Sequence, residues 1–364
     1  MPRNPIVSLF SLSIALAAGA SLMFASAPTD AQDVSAKPAA TDAKPTGDQG
    51  WVQPGMPGSE INGGVFHAQV LLSRAGFSSG VIDGKDGMVY KAALHGFQKS
   101  RNLPLTDKLD RRTLDALLAG QQVPASVMVK LTADDISGDY VYPFPKKPEA
   151  QAKLKAMSYR NMLEEVAERY HTTPRTIIAL NGPTALIGIG QTLRLPNVVA
   201  SRTDYSGDLK PEYAALMKKL NIDADQPIGD DIVVDKSEGL LKVYNKDEVL
   251  VGQFPVTTGS GHDPLPLGDW KATTYAYLPP FHYQPDLFWD VDDSKAEQKL
   301  PPGPNGPVGV AWLDLTKEHY GIHGTPEPQT IGRSESHGCI RMTNWDVLRL
   351  SRMLKPGFKA EFVA

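Results

Sequence analysis

Cys339 is the only cysteine among 364 residues. No internal disulfide can hold any part of this chain, so its folded units must rely on apolar cores. The setting of that thiol is unusual. His337 stands two positions before it and His323 sixteen positions before it, with Gly324 and Gly338 alongside. The chain begins like an exported protein, where an unpaired thiol is an oxidation liability and needs a chemical reason. Nucleophilic catalysis is such a reason: a thiolate attacks an acyl carbon, and an imidazole takes the proton and returns it to the leaving group.

Two histidines compete for the base. His337 and Cys339 are i and i+2, so on an extended strand they share a face. His323 follows Tyr320-Gly321-Ile322, which reads as a neighbouring strand that places the ring opposite the thiol. Gly324 and Gly338 leave room for a substrate backbone. Their carbonyls are candidates to fix a ring tautomer, and the N–H groups of Gly338 and Cys339 are candidate oxyanion donors. Two other readings use the same residues. A lone cysteine can be a small buried hydrophobe. Two histidines with Cys339 can begin a zinc site, but no fourth ligand has suitable spacing.

The segment His323-Gly324 followed by Ser336-His337-Gly338-Cys339-Ile340-Arg341-Met342 closely resembles the active-site signature of the L,D-transpeptidases, the YkuD-type catalytic domain. Gly332-Arg333 before the core resembles one branch of that family. Another branch has asparagine where this chain has Arg341, so substrate details from it do not carry over. The resemblance implies Cys339 as nucleophile, His323 as proton donor and acceptor, Gly324 as an orienting carbonyl, and His337 as a polarising or oxyanion-supporting group. It implies backbone N–H donors at Gly338 and Cys339, and substrate contacts from Arg341, Ser336 and Arg333. A guanidinium suits a substrate carboxylate because its donors form a fixed fork. No cofactor and no metal is implied.

From its start, the chain reads as several units. Arg3, the apolar run Ile6 to Phe24 and the small-x-small site Ala25-Ser26-Ala27 make residues 1–27 a secretory signal, with an uncleaved anchor as the alternative. Residues 28–60, rich in Ala, Pro, Asp, Gly and Thr, read as a disordered linker. Net charge is −4 with 41% hydrophobic residues, an ordinary soluble balance without a basic run for nucleic acid.

Residues 61–122 read as a small helical unit. Tyr90, Ala93, Leu94 and Phe97 make one helix face, and Leu114, Leu117 and Leu118 repeat the spacing. Gly76-Phe77, Val81-Ile82-Asp83-Gly84, Phe97-Gln98, Leu103-Pro104 and Leu114 resemble the peptidoglycan-binding-like three-helix domain. Val89 and Tyr90 depart from the threonine and arginine that often open its second helix.

Residues 155–198 form another unit. Leu163, Val166, Ala167 and Tyr170 share a face, Thr173-Pro174 opens a second helix, and Asn181-Gly182 ends it. With Gly190-Gln191-Thr192-Leu193-Arg194-Leu195-Pro196, this resembles the LysM domain, a strand-helix-helix-strand fold. That resemblance implies glycan contacts from the backbone of Gly182 to Ile187.

Residues 229–364 contain short β-branched runs at Ile232-Val233-Val234, Leu240 to Tyr244 and Val249-Leu250-Val251, with one covering helix at Asn344 to Leu354. The family resemblance implies a mainly-β catalytic domain, a curved β-sandwich of mixed sheets. Pro264 to Gly268 and the proline-glycine loop Pro301 to Gly309 resemble family segments. The aromatic-rich stretch Tyr275 to Trp289 is either a lid over the cleft or ordinary packing.

Together these resemblances imply an exported, periplasmic or wall-associated enzyme acting on peptidoglycan stem peptides and glycan strands. Its products would be 3→3 cross-links, with an outer-membrane lipoprotein lysine or water as alternative acceptors. The competing readings are an L,D-carboxypeptidase or amidase, and a non-catalytic wall-binding protein.

Overall fold

A computed structural model of the chain describes residues 52–205, 209–285, 295–336 and 338–364. The signal reading of residues 1–27 and most of the expected linker lie outside these residues, as does His337. Among the described residues no helix is long and apolar enough to cross a membrane.

The first unit has three helices, α1 (Gly63–Arg74), α2 (Met88–Ser100) and α3 (Arg111–Leu118). Asn62 and Asp110 cap α1 and α3 by accepting from Val65 N and Thr113 N, which satisfies backbone donors that the helix leaves unpaired. Tyr90, Ala93, Leu94 and Phe97 are buried together, with Phe77 edge-on to Phe97. The leucines of α3 are only half-buried. Thr113 is the buried residue of that helix, and its hydroxyl accepts from Gln98.

Next comes a small α+β layer: β1 (Ser126–Lys130), the single turn α4 (Pro148–Gln151), α5 (Met162–Arg169), α6 (Pro174–Asn181) and β2 (Thr192–Pro196). Strands β1 and β2 pair antiparallel. The first strand of this sheet therefore lies ahead of residue 155, because a long connection over 131–161 separates it from the helices. The core of this layer, including Val166, Ile177, Leu193 and Leu195, also takes in Phe66, Val70 and Ile82 of the first unit.

After α7 (Pro211–Lys219) the described residues build ten more strands: β3 (Asp231–Asp235), β4 (Leu240–Tyr244), β5 (Leu250–Pro255), β6 (Gly268–Tyr277), β7 (Phe281–Tyr283), β8 (Gln298–Leu300), β9 (Ala311–Leu315), β10 (Gly321–His323), β11 (Ile340–Arg341) and β12 (Lys359–Val363). Helix α8 (Asn344–Met353) lies between the last two. Eight strands form one mixed sheet in the order β11-β10-β9-β6-β12-β3-β4-β5. Strand β6 joins its halves. Gly268 to Lys271 pair with β12, whereas Ala272 to Tyr277 pair with β9 across a register shift. This change of partner lets the sheet curl, because an irregular register adds local twist and bend. Ile232, Val243 and Phe254 from one half then meet Leu313, Ile322 and Ile340 from the other around α8 in a single core.

One edge of that sheet is β5, and the first unit covers it. Phe77 bridges to Gln253, and the Gln253 side chain donates to the Ala92 carbonyl at 2.8 Å. A covered edge cannot template pairing with other chains. The α+β layer meets the unit that holds this sheet through the proline-glycine loop: Met157 donates to the Pro302 carbonyl, and Asn305 donates to that of Met157, both at 2.9 Å.

Candidate active site

Strands β10 and β11 run parallel and place Ile322 against Ile340 and His323 against Arg341. Cys339 immediately precedes β11. It stands two residues before Arg341 and packs in one cluster with Trp312, the ring on which His323 stacks. A parallel pairing of two such short strands is built by the loop between them, and that loop is stitched to the neighbouring chain. Ser336 donates to the Thr258 carbonyl, Gly332 to Thr257 Oγ1 and Arg341 to the Thr257 carbonyl. The Ser336 hydroxyl donates to the Cys339 carbonyl at 2.6 Å, so it holds the turn rather than facing a cleft.

Gly338 is required twice over in that turn. Its φ is +102°, and an added Cβ would lie 2.7 Å from the Tyr320 ring. A side chain there would meet both backbone strain and a steric clash.

His323 is buried and stacks on Trp312, its register partner on β9, with ring centroids 5.4 Å apart. Its Nδ1 lies 2.7 Å from the Gly324 carbonyl. A carbonyl can only accept, so Nδ1 carries the proton and Nε2 is left as the free base. Burial, with Arg341 nearby, holds the imidazole down at about 3. Burial likewise pushes the Cys339 thiol up to about 11, against the pull of the Gly321 backbone and Arg341. The thiol and imidazole are therefore both neutral at pH 7. The sulfur lies 3.6 Å from the His319 carbonyl. Arg341 is itself buried, and desolvation lowers its guanidinium to about 10.

Cys339 is 4% exposed, and part of its surroundings is a small separate element. Strands β7 and β8 make a separate two-stranded hairpin, whose Phe281, Tyr283 and Leu300 pack in one cluster with Cys339 and Trp312. The lid expectation for Tyr275 to Trp289 thus divides. Tyr275 and Tyr277 belong to β6 and bond Leu354 and Ser351, which is ordinary packing. Phe281 and Tyr283 belong to the same buried cluster as the thiol. Residues 286–289 lie outside those described.

The structure brings Cys339, His323, Gly324, Gly338, Arg341 and Ser336 together. Arg333 lies apart, on the outward side of the loop, where it is exposed and lines a separate cavity. Sequence reasoning missed three residues. Trp312 is one. Asn344 is another: it opens α8 fully buried, its Oδ1 accepts from Val310 N at 3.1 Å, and its Nδ2 donates to Pro304 and to Glu168 Oε1, the latter at 2.7 Å. A Cβ on Gly309 or Gly324 would run into Asn344 Oδ1, so this amide fixes the chain beside His323. Glu168, the third, comes from α5 of the α+β layer, and burial pushes its carboxyl up to about 8.

Among the described residues, no group of three or more His, Cys, Asp or Glu is placed to hold a metal ion. What the site can do is hold an acyl group beside a thiol, a neutral imidazole and a buried cation, away from water.

That combination, on a curled β-sheet, suits acyl transfer. Residues 229–361 match the family model of the L,D-transpeptidase catalytic domain (YkuD), and residues 62–117 match that of the peptidoglycan-binding domain. The chain thus carries an L,D-transpeptidase-type catalytic domain behind a helical peptidoglycan-binding domain. The protein of Bacillus licheniformis named "Putative L,D-transpeptidase YkuD" is 55% identical over 126 residues, covering 35% of this chain and 61% of that relative. The Bacillus subtilis protein "Putative L,D-transpeptidase YqjB" is 28% identical over 131 residues, 35% of this chain and 66% of the relative. This chain therefore spans less than two thirds of the length of these relatives. The solved L,D-transpeptidase of Xylanimonas cellulosilytica is 13% identical, covering 86% of this chain and 97% of that one, with a TM-score of 0.33.

Proposed function

We propose that this chain is an exported L,D-transpeptidase that works on peptidoglycan stem peptides through a thioester at Cys339. The observation that supports this reading is the parallel pairing of β10 with β11, which sets His323 against Arg341, two residues after Cys339. Substrate enters as the β7–β8 hairpin gives way. His323 Nε2 takes the thiol proton as sulfur attacks the carbonyl of the third stem residue. Proton transfer accompanies attack, because the buried thiol is a poor acid on its own. The C–S bond forms, the C–N bond to the terminal D-alanine breaks, and the imidazole returns the proton to the leaving amine. Gly338 and Cys339 N–H groups stabilise the oxyanion. Arg341 meets a substrate carboxylate, and His337, expected from sequence to polarise the site, keeps that role here. The side-chain amine of a second stem then attacks the thioester, forming C–N and releasing sulfur, which regains its proton.

Burial of the sulfur beneath aromatic side chains favours an amine over water as acceptor, since an acyl-enzyme open to solvent would hydrolyse. The product is a 3→3 cross-link, and a lipoprotein lysine has the same amine chemistry. The α+β layer, with its helix pair between β1 and β2, is proposed as a LysM-like glycan-binding module, and the helical domain as a wall anchor. The site of action is the periplasm or wall, with the N-terminal signal directing export.

Incubation with a disaccharide-tetrapeptide substrate, followed by mass analysis of the products, tests the reading. Cross-linked dimers that disappear with Cys339→Ala support it. Trimmed tripeptides alone make the chain a carboxypeptidase, and an unaltered product pattern with Cys339→Ala removes the enzyme reading.

A further inference from the structure

The first turn of α8, just after the signature strand β11, is where the N-terminal units take hold of the catalytic domain. Three consecutive residues there each meet a partner from outside it. Asn344 Nδ2 donates to Glu168 Oε1 of α5 at 2.7 Å. Trp345 stacks on His171, with ring centroids 5.2 Å apart and planes at 10°. Asp346 Oδ2 accepts from the Ser78 hydroxyl of the first unit at 2.7 Å. All six residues are buried.

The first of these contacts leads back to the proposed base. Asn344 uses both of its amide hydrogens: one goes to the Pro304 carbonyl at 3.1 Å and the other to Glu168, while Oδ1 accepts from Val310 N at 3.1 Å. A rotated amide would set its oxygen against the Pro304 carbonyl and its N–H against that of Val310, so the partners fix its orientation. Gly309 and Gly324 lie against that Oδ1, with no room for a side chain at either. The Gly324 N–H donates to the Ala311 carbonyl at 3.2 Å, and the Gly324 carbonyl is the acceptor 2.7 Å from His323 Nδ1. Glu168, the Asn344 amide, the Gly324 backbone and the imidazole thus form one continuous set of packed groups. Removing the Glu168 acceptor leaves a buried N–H unpaired, which is costly, and frees the amide to move off Gly324.

We propose that Glu168 is a positioning residue for His323, delivered from the neighbouring α+β layer. Through Asn344 it holds the Gly324 carbonyl in line with Nδ1, and so keeps Nε2 free to take the thiol proton. The inference rests on the transpeptidase reading above. It makes the full rate of the catalytic domain depend on the docked α+β layer, because the acceptor that Asn344 needs belongs to that layer.

The test uses the full chain with Glu168→Leu, which removes the acceptor, and Glu168→Gln, which keeps an oxygen for Asn344. Acylation of Cys339 by a disaccharide-tetrapeptide donor is followed by intact mass. Glu168→Leu is expected to lower the saturating rate by about ten- to a hundredfold, the scale of a misplacement remote from the chemistry, with the half-saturating donor concentration within about twofold. Glu168→Gln is expected to restore most of the rate. In NMR spectra of isotope-labelled histidine, the His323 ring should be Nδ1-protonated in the native chain and in Glu168→Gln, and a mixture of tautomers in Glu168→Leu. Alkylation of Cys339 by iodoacetamide at pH about 10, where the thiolate needs no base, should be the same in all three.

An unchanged rate or an unchanged tautomer in Glu168→Leu overturns the proposal. So does an equal loss in both variants, or a loss accompanied by faster alkylation, which marks a loosened core. Should Glu168→Leu not fold, Glu168→Met takes its place; if neither folds, the residue serves the fold alone and the proposal fails. If the native chain is never acylated, the transpeptidase reading fails and the tautomer decides the positioning by itself. A change in Glu168→Leu that is absent from Glu168→Gln then supports it, and no change overturns it.

Discussion

Two elements flank Cys339, and they are held in opposite ways. Strands β10 and β11 are woven into the large sheet by backbone pairing on both sides of β10, so the positions of His323 and Arg341 relative to the sulfur follow from register. Among the described residues the β7–β8 hairpin belongs to no larger sheet, and its Phe281, Tyr283 and Leu300 pack in one cluster with Cys339. Backbone ladders fix geometry and side-chain packing can be exchanged, so the first element suits chemistry and the second suits access. Desolvation is the leading cause of both the raised thiol and the depressed imidazole.

That contrast is open to direct attack. The largest effect is expected on the strand side. His323→Ala should slow Cys339 acylation by about 10²–10⁴-fold, measured by intact mass against time. A loss under tenfold would move the base elsewhere, His337 being the first alternative. Alkylation by iodoacetamide comes next. With the thiol held at about 11, its rate should climb about tenfold per pH unit from pH 7 to 10, because each unit multiplies the thiolate fraction tenfold. A plateau near neutrality would mean an activated thiolate in the resting protein.

The hairpin side should respond in the opposite sense. Phe281→Ala should speed alkylation of Cys339 at fixed pH by several-fold or more while lowering stability by about 3–5 kcal/mol, the usual result for a buried Phe. If alkylation is unchanged, the hairpin does not gate the sulfur. The smallest effect concerns Glu168. Its folded carboxyl titrates near 8 against an ordinary 4.5, so the unfolded state loses its proton first as pH rises. Its contribution to stability should therefore be greatest below about 4.5 and decline through the interval up to about 8. Thermal unfolding across pH 5–8 should show a shallower decline for Glu168→Gln than for the native chain, and parallel curves would show that the carboxyl is not held protonated.

The strand side was legible in the sequence and the hairpin side was only half so. His323-Gly324 and Ser336 to Met342 carry their own signature, and the short β-branched runs at 232–234, 240–244 and 249–251 fall in β3 to β5. Alternation along a strand is local, and it survives reading from one sequence. Trp312, Asn344 and Glu168 were invisible for the converse reason. Each matters through a partner far away in the chain: Trp312 through His323, Asn344 through Gly309, Gly324 and Glu168. A buried polar residue carries no local mark of the group that will satisfy it. The same holds for β1, whose place in the α+β layer depends on a partner strand beyond both helices, and for Arg333, which sits close to the signature but faces the other side of its loop.

The central claim is that one sulfur is the attacking group, and its covalent capture tests that claim most directly. Intact mass after exposure to a carbapenem, a class to which the resemblance implies susceptibility, should show a single adduct on the native chain and none on Cys339→Ala. An adduct that persists without that sulfur, or a Phe281→Ala chain that stays unmodified, would contradict it.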